Sequence, residues 1–392
     1  MTWKGSVVRV HHRAPFLLVG YNLPTMPTVG ITPEWIAELR RQLLRWFELH
    51  KRPTPWRDNP DPYRVWVSEI MLQQTQTATV IPYFERFIAR FPDVHALGAA
   101  PLEEVLRYWE GLGYYARARN LHRAAQLIVQ NGGHLPTTAE QLRELPGIGA
   151  YTAGAIASIA FGQPVPVVDG NVTRVLARLL WLKGDLKRHA AQKQLWQLAE
   201  QLVDPDHPGA FNQALMELGS TVCTPTQPRC PECPVTHLCE AYRRGQPTAV
   251  PEPSRRIPTR TVVDVSAIVE REGRVLLAQR PPEGLWGGLW EFPRTTRSAR
   301  ESLETLAIRA AEQLGIQVEP RQLLLQVRHV VTYSKIHLYG YLCAWHSGEA
   351  QCGPYRAVAW LTPEELQHYP LPAPQRKLAE ALQNQTVQGT LF

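Results

Sequence analysis

The chain has 392 residues, 44% of them hydrophobic, and its 42 Lys and Arg residues exceed its 35 Asp and Glu residues to give a formal net charge of +7. This hydrophobic content is sufficient for packed cores, so the composition excludes a disordered chain, and the length predicts two or three domains. No segment reaches the roughly 20 apolar residues of a transmembrane helix, which excludes a helical membrane protein. The positive charge suits an anionic partner such as nucleic acid, but it is equally typical of an ordinary basic enzyme.

Residues 1–30 show no hydrophobic period, and we predict a flexible N-terminal extension without a secretory signal sequence. We therefore expect reduced cysteines rather than disulfides. From residue 31 to residue 242, apolar residues recur at helical spacing, and Pro and Gly separate the segments. One of these helical patterns is continuous over residues 63–91. The sequence thus predicts an all-α domain over residues 31–242.

A single acidic residue, Glu69, lies within the apolar helical segment "VWVSEIML". If the helix buries this side chain, loss of hydration raises its pKa. The alternative is a Glu on the solvent face of an amphipathic helix, which composition alone favours.

A tight turn between two helices is predicted within "LPGIGAYTAGAIAS", residues 145–158, where Gly147 and Gly149 avoid Cβ clashes. Such a turn can direct the first amides of the second helix at a phosphate, although a plain helix connection is more common. Asp169 follows at the start of another helical pattern, a position typical of an N-cap.

Four of the six cysteines fall within residues 223–239, as Cys223, Cys230, Cys233 and Cys239. Thiolates bind zinc and iron–sulfur clusters, and four prolines stiffen this loop. On spacing alone a four-cysteine zinc site is the alternative, and a disulfide pair is less favoured.

Together with the turn and Asp169, this cysteine spacing resembles the endonuclease III and MutY class of DNA glycosylases, members of the helix–hairpin–helix superfamily. The segments "PWR" at residues 55–57 and "GLGYYARARNLHRAA" at residues 111–125 fit the same class. The resemblance implies a [4Fe-4S] cluster on the four cysteines and double-stranded DNA as the partner. It also implies that Gly147 and Gly149 belong to a DNA-binding hairpin.

The segment around Glu69 resembles the catalytic segment of MutY proteins, in which this position is the general acid. The resemblance implies that Glu69 protonates N7 of a flipped-out adenine, while Asp169 stays ionised and stabilises the cationic sugar. Asn171 would hold the sugar or water beside Asp169. Tyr151 stands where the lyase branch has a Schiff-base lysine, so we expect a glycosylase without strong strand-cleaving activity.

The same resemblance assigns further residues to DNA contacts. Side chains that insert into the base stack are expected at Gln73 or Gln74 and at Tyr114, although core packing is an equal alternative for Tyr114. The expected lining of the adenine pocket is Trp56, Arg57 and one of Gln213 and Glu217.

Residues 243–260 are rich in Pro and Arg, which predicts a linker. Residues 261–380 then carry β-branched and alternating segments, which predict a mixed α/β domain. The segments "LLAQRPPEGLWGGLWEFP" and "AIRAAEQLGI" resemble a Nudix, or MutT-like, domain. The helix keeps only Glu312, with Arg309 and Gln313 where metal-binding acids are expected, so we predict the fold without the hydrolase activity.

In MutY proteins this domain reads the base opposite the adenine, with a loop of the form His-x-Phe-Ser-His. The matching segment here is "HVVTY", residues 329–333, so Thr332 and Tyr333 are expected to contact 8-oxoguanine. Val331 and Tyr333 depart from the pattern. The segment "GLWGGLWEFP" is a further candidate for the lesion strand, with ordinary strand and turn packing as its alternative.

Residues 381–392 are predicted to be a flexible tail. The last five residues, "QGTLF", resemble the short peptides that dock on bacterial sliding clamps, with Gln388, Leu391 and Phe392 as anchors. A chance match to so short a motif is equally expected.

The sequence therefore predicts a multidomain chain in which an all-α glycosylase domain with a cluster loop is joined to an α/β MutT-like domain. The expected function is a monofunctional adenine DNA glycosylase that acts on adenine opposite 8-oxoguanine or G. We expect a monomer in the bacterial cytoplasm, on the nucleoid and without membrane contact. The alternatives are a thymine or uracil mismatch glycosylase and a non-catalytic iron–sulfur DNA-binding protein. A Nudix hydrolase is the least favoured.

Overall fold

The structure is a computed structural model, and it describes residues 30–58, 60–252, 258–298, 300–331 and 333–387. The expected N-terminal extension therefore lies outside the described residues, apart from Gly30. Thr332 and the three expected clamp anchors, Gln388, Leu391 and Phe392, also lie outside them. Among the described helices, none is both long enough and apolar enough to cross a membrane.

The first domain is helical, as the periodic pattern predicts. A loop with two short 3₁₀ turns separates its last two helices. The helices are α1 (Pro33–His50), α2 (Pro55–Asp58), α3 (Pro62–Leu72), α4 (Thr77–Arg90), α5 (Val94–Ala99), α6 (Leu102–Trp109), α7 (Ala116–Gln130), α8 (Ala139–Leu142), α9 (Ala150–Phe161), α10 (Gly170–Leu180), α11 (His189–Leu202), α12 (Pro208–Thr221) and α13 (Glu240–Arg243).

The start of α3 follows from its local sequence. The Asp61 side chain accepts hydrogen bonds from the amides of Tyr63 and Arg64, at 3.0 and 3.1 Å. These amides have no partner within the helix, and Pro62 at the first position has no amide to satisfy. The cap therefore fixes the register of the helix that carries Glu69.

Two large hydrophobic cores lie within the described part of the helical domain, beside a small cluster around Trp181 and Ala241. The first is built around α3, α4, α6, α7 and α9, with Trp66, Phe84 and Trp109 fully buried. The second is built around α1, α10, α11 and α12, with Leu43 and Phe211 at its centre. Helix α9 packs against both α3 and α12, and α12 packs against α10. This order of packing lets a residue of α3 meet the start of α10.

The helical pattern over residues 63–91 forms two helices rather than one. Helix α3 ends at Leu72 and α4 begins at Thr77. Between them, Gln74 has a left-handed backbone with φ 57°. Because apolar residues keep helical spacing on both sides, the pattern alone does not show the break.

The second domain contains a mixed seven-stranded sheet. The strands are β1 (Arg260–Arg271), β2 (Arg274–Gln279), β3 (Trp290–Glu291), β4 (Arg294–Thr296), β5 (Gln317–Val331), β6 (Ser334–Ser347) and β7 (Ala357–Leu361), and the helices are α14 (Leu303–Glu312) and α15 (Ala373–Val387). The strand order is β3-β2-β1-β6-β5, while β4 pairs with β1 and β7 pairs with β2. Strands β1 and β6 are parallel, and the other pairs are antiparallel.

Opposite faces of β1 pack against different helices. Val265 lies in one core with Leu306 of α14, whereas Ile268 lies in another with Leu378 of α15. Because side chains alternate along a strand, the two helices cover opposite faces of the sheet. Helix α15 continues to Val387, past the domain end expected at residue 380, so the first part of the expected tail is helical.

The two domains are in contact. Leu289 of the second domain packs within the first helical core. Arg376 of α15 forms an ion pair with Glu110 at 2.6 Å, and Arg119 of α7 donates a hydrogen bond of 2.6 Å to a backbone carbonyl, that of Gly287. The second domain therefore lies against the α6–α7 side of the helical domain.

Candidate active site

Glu69 lies on the buried side of α3, with 5% of its surface exposed. Its Oε2 accepts a hydrogen bond of 2.8 Å from the Tyr151 hydroxyl, and no Lys or Arg of the described residues forms an ion pair with it. Burial raises the pKa of Glu69 to about 7, against the lowering effect of the Tyr151 hydrogen bond. A solvent-facing Glu69 is therefore excluded, and this carboxyl group can hold a proton near neutral pH.

Asp169 is the N-cap of α10, as its position in the sequence predicts. Its Oδ1 accepts a hydrogen bond of 2.7 Å from the amide of Val172, and its Oδ2 accepts one of 3.0 Å from Asn171 Nδ2. Burial raises the pKa of Asp169, and these hydrogen bonds oppose the rise. The charge of Asp169 in turn raises the pKa of Glu69, so the two carboxyl groups belong to one site.

The turn before α9 places Tyr151 against Glu69. Gly147 has φ 78°, and a Cβ there would lie 2.7 Å from the Cβ of Asn120, so only glycine fits. Gly149 differs, because its φ is −86° and an added Cβ would meet nothing within 4 Å. Contrary to the expectation from sequence, Gly149 therefore avoids no clash, and it leaves the N-terminus of α9 uncovered.

Arg174, which the sequence analysis does not single out, holds Asn171 in place. Its Nη2 donates hydrogen bonds to Asn171 Oδ1 at 2.8 Å and to the Gly219 carbonyl at 2.6 Å. Its Nε donates one of 2.7 Å to the Cys223 carbonyl. Arg174 therefore connects the side chain beside Asp169 to the start of the cysteine loop. Its position three residues after Asn171 is the one signal that the sequence offers.

A second acid, Glu217, is 2% exposed but lies beside two arginines. Its Oε2 accepts a hydrogen bond of 2.8 Å from Arg57, and its Oε1 accepts one from Arg52. Burial raises the pKa of Glu217, but the hydrogen bonds from Arg52 and Arg57 outweigh it and the pKa is lowered. Arg57 also donates to Gln213 at 3.1 Å, so both candidates on α12 contact it. Trp56 is buried in the first core.

The three side chains expected to enter the base stack differ in exposure. Gln73 Nε2 donates a hydrogen bond of 3.0 Å to Thr152 Oγ1, so this side chain is directed at α9. Gln74 is exposed. Tyr114 is 51% exposed with φ 48°, which excludes core packing as its role. Gln74 and Tyr114 are thus the two that protrude.

The four predicted cluster ligands, Cys223, Cys230, Cys233 and Cys239, line one small cavity in the loop between α12 and α13. All four are free thiols rather than disulfide-bonded. In the part of the chain that the structure describes, no group of three or more His, Cys, Asp or Glu side chains is placed to hold a metal ion. Arg178, which is 3% exposed, donates a hydrogen bond of 3.3 Å to Cys223 Sγ. A buried cation therefore faces this cavity. Burial raises the pKa of the Cys230, Cys233 and Cys239 thiols, and the charge of Arg178 opposes that rise at Cys230.

The second domain pairs its buried acids with arginines. Asp264 on β1 is 1% exposed and forms an ion pair with Arg294. Glu291 on β3 is 0% exposed and forms an ion pair of 2.7 Å with Arg280. Arg309, in place of an acid on α14, pairs with a carboxylate of the preceding loop at 2.5 Å. These cations oppose the binding of a divalent metal ion.

The expected reading loop is the turn between β5 and β6. Tyr333 is 51% exposed there, and Thr332 lies outside the described residues. His329 packs against Trp286 with the two rings tilted by 33° and their centroids 5.4 Å apart, and both its ring nitrogens are buried without a hydrogen-bond partner among the described residues. The two segments that the sequence analysis relates to the lesion strand therefore lie side by side.

Comparison with known proteins gives matches to both domains. The sequence model of a family described as "HhH-GPD superfamily base excision DNA repair protein" matches residues 67–201, and that of the NUDIX domain matches residues 265–381. The mouse protein named adenine DNA glycosylase is 42% identical, over 84% of this chain and 75% of its own. The human protein of that name is 39% identical, over 89% of this chain and 75% of its own.

The solved structures that match include one that is similar to the helical domain alone. Titled "Structure of a thermostable thymine-DNA glycosylase", it is 28% identical with a TM-score of 0.50, and the match covers 54% of this chain and 98% of that one. The similarity covers the helical domain, which carries Glu69 and Asp169, and does not include the MutT-like domain.

Proposed function

Since the chain belongs to the adenine DNA glycosylase family of base excision repair enzymes, we propose that Glu69 and Asp169 hydrolyse the N-glycosidic bond of an adenine opposite 8-oxoguanine or G in DNA. The observation that carries this assignment is a buried Glu69 that has no ion-pair partner among the described residues and whose pKa responds to the charge of Asp169. A proton donor and an anion in one site are what this bond cleavage requires.

Glu69 is the proposed general acid. Adenine is a poor leaving group as an anion, and a proton on N7 lowers the barrier to its departure. Burial keeps the carboxyl group protonated at pH values where an exposed Glu is ionised. The Tyr151 hydroxyl fixes the position of Oε2 through its hydrogen bond. Once the base has left, the resulting carboxylate can accept a proton from the attacking water.

Asp169 is proposed to stabilise the positive charge that develops on the sugar, directly or as a covalent intermediate. Each of its oxygens accepts one hydrogen bond, from Val172 or from Asn171, so the orientation of the carboxylate is fixed. Burial raises the pKa of Tyr151, so its phenol stays neutral. A phenol has no amine and cannot form a Schiff base with the sugar, which supports glycosylase activity without lyase chemistry at this position.

The adenine must leave the duplex to reach these groups, at a cost of a few kcal/mol in stacking and pairing. We propose that Gln74 and Tyr114 fill the space that the adenine leaves in the base stack, because both side chains protrude from the surface. The uncovered N-terminus of α9 behind Gly147 and Gly149 offers amides to a phosphate. Arg57 remains the candidate to meet the extruded base beside Glu69, since its charge acts on that carboxyl group.

We propose that the cavity lined by the four cysteines holds a [4Fe-4S] cluster. Thiolates are the ligands of such clusters, and the buried Arg178 offsets their negative charge. When bound, the cluster would cross-link the loop between α12 and α13 and so stabilise the fold. Arg174 donates hydrogen bonds to both the Cys223 carbonyl and Asn171, so a cluster that orders the loop would also help to fix the position of Asn171.

The opposing base is assigned to the MutT-like domain, through Tyr333 in the turn between β5 and β6 and through its neighbour Thr332, which lies outside the described residues. Tyr333 is exposed at this turn, which supports the assignment. Clamp docking through the last five residues stays a prediction. Deletion of residues 388–392 tests it, and unchanged clamp binding in a pull-down would contradict it.

The proposed function is tested by base release from duplexes that hold A opposite 8-oxoguanine, A opposite G, or T opposite G. We expect adenine release from the first two and no release of thymine. The thymine arm matters because the similar solved structure is that of a thymine-DNA glycosylase. Release of thymine but not adenine would contradict the proposal, as would binding to all three duplexes without release of any base.

A further inference from the structure

Arg117 lies on the first turn of α7 and has no part in the chemistry above. It is buried, with 9% of its surface exposed, and its side chain donates hydrogen bonds to groups outside α7. No carboxylate of the described residues forms an ion pair with it. Its partners are instead backbone carbonyls and one hydroxyl. They are the carbonyls of Ile70, Met71, Gln73, Leu112 and Gly113 and the hydroxyl of Thr75.

Two of these carbonyls belong to unusual peptide groups. The Gln73 carbonyl precedes Gln74, which has φ 57°, and the Gly113 carbonyl precedes Tyr114, which has φ 48°. Left-handed backbone is disfavoured for a residue with a Cβ and persists only where the surroundings hold it. A single guanidinium thus holds the peptide groups before both protruding residues.

We infer that Arg117 is a positioning residue for base extrusion: it locks Gln74 and Tyr114 side by side in the conformation that enters the base stack. This inference rests on the proposed function of the site, and it concerns the extrusion step rather than bond cleavage. Arg117 does not touch the reacting atoms.

The chemistry of the partners explains why an arginine stands here. The last carbonyls of α3 carry partial negative charge, which favours a cation at this end of the helix. The planar fork of a guanidinium can bond several carbonyls at fixed angles, whereas the ammonium of lysine is a point charge. The guanidinium also lies 5.5 Å from the ring centroid of Tyr114, a distance at which cation–π attraction holds the ring over it.

The test compares Arg117→Lys with the wild-type enzyme on two substrates, in single-turnover excision assays. One duplex holds a single A opposite G between normal pairs. The other holds the same A opposite G at the centre of a bubble of mismatched pairs, where extrusion costs less. We expect Arg117→Lys to lose about tenfold in rate on the first duplex and to recover most of that loss on the bubble.

An equal loss on both duplexes, or no loss on either, would overturn the inference. Glu69→Gln provides the contrast, because the bubble cannot rescue a missing proton donor. Wild-type enzyme that releases no adenine from either duplex would instead refute the proposed function itself. The two failures are therefore distinguishable.

If Arg117→Lys does not fold, Gly113→Ala strains the same loop from the surface. Gly113 has φ 72°, and an added Cβ there meets nothing within 4 Å. Gly132, at the other end of α7, has φ 103° and is equally open, so Gly132→Ala is the matched control. A loss that the bubble rescues in Gly113→Ala but not in Gly132→Ala supports the inference. Equal behaviour of the two variants would overturn it.

Discussion

The helical domain and the MutT-like domain bury acidic side chains in different ways. Glu69 is 5% exposed, and within the described residues its one hydrogen bond comes from a neutral phenol. Asp264 and Glu291 of the MutT-like domain are buried more deeply, but each forms an ion pair with an arginine. The first arrangement raises the pKa of a carboxyl group, and the second pairs each carboxylate with a cation as part of the fold.

The contrast distinguishes a buried acid that acts in the reaction from a buried acid that stabilises the fold. The difference does not follow the domain boundary, because Glu217 lies in the helical domain and yet forms ion pairs with two arginines. A buried acid without a cation destabilises the fold when it ionises, and we infer that Glu69 is retained for its proton.

The largest effect is expected from removal of that proton. Glu69→Gln keeps the size of the side chain but cannot donate, so adenine release should fall by about 10²–10⁴-fold. Single-turnover excision measures the loss, and a gel shift with the same duplex should show unchanged binding. Glu240→Gln, at a buried acid paired with Arg243 and Arg244, is the control and should retain its rate.

Replacement of an acid that is paired with arginine should lower the stability of the fold and leave the excision rate unchanged. Glu291→Gln removes the charged partner of the half-buried Arg280 and one of the two carboxylates that pair with the more buried Arg294. The free energy of unfolding should therefore fall by about 3–5 kcal/mol. Urea denaturation followed by circular dichroism measures this loss. The excision rate per folded molecule should not change, and a stability equal to that of the wild type would remove the distinction between the two acids.

Glu69→Gln should also stabilise the protein at alkaline pH. The pKa of Glu69 is about 7 in the folded chain and about 4.3 in an unfolded one. The stability that the protonated Glu69 carboxyl group contributes is therefore fully present below pH 4.3 and is lost as the pH rises through 7. At pH 8 the amide should raise the free energy of unfolding by about 1–3 kcal/mol, and at pH 4 it should have no effect. A destabilised variant at pH 8 would contradict this account.

Much of the fold could be predicted from the sequence because its signals are local. The helical period, the Asp169 cap and the strand segments each depend on neighbours within a few residues. The family resemblance supplied the pairing of Glu69 with Asp169, which are a hundred residues apart in the chain. No local pattern contains such a pairing, because it depends on how α9 packs between α3 and α12.

The contacts made by arginines could not be predicted. Arg117 and Arg174 stand in helices whose sequences do not show which backbone groups their side chains contact. Their partners are mainly backbone carbonyls, which every residue carries and no pattern marks. For the same reason the break between α3 and α4 was hidden, since Arg117 holds the carbonyls on its α3 side.

The central claim is that burial keeps Glu69 protonated near neutral pH, and the pH dependence of single-turnover adenine release tests it most directly. We expect the rate to be high below pH 7 and to fall as pH rises through the pKa of about 7. Tyr151→Phe removes a hydrogen bond that lowers this pKa, so the falling limb should move to higher pH. A limb that stays near pH 4.5, or that Tyr151→Phe moves to lower pH, would contradict the account.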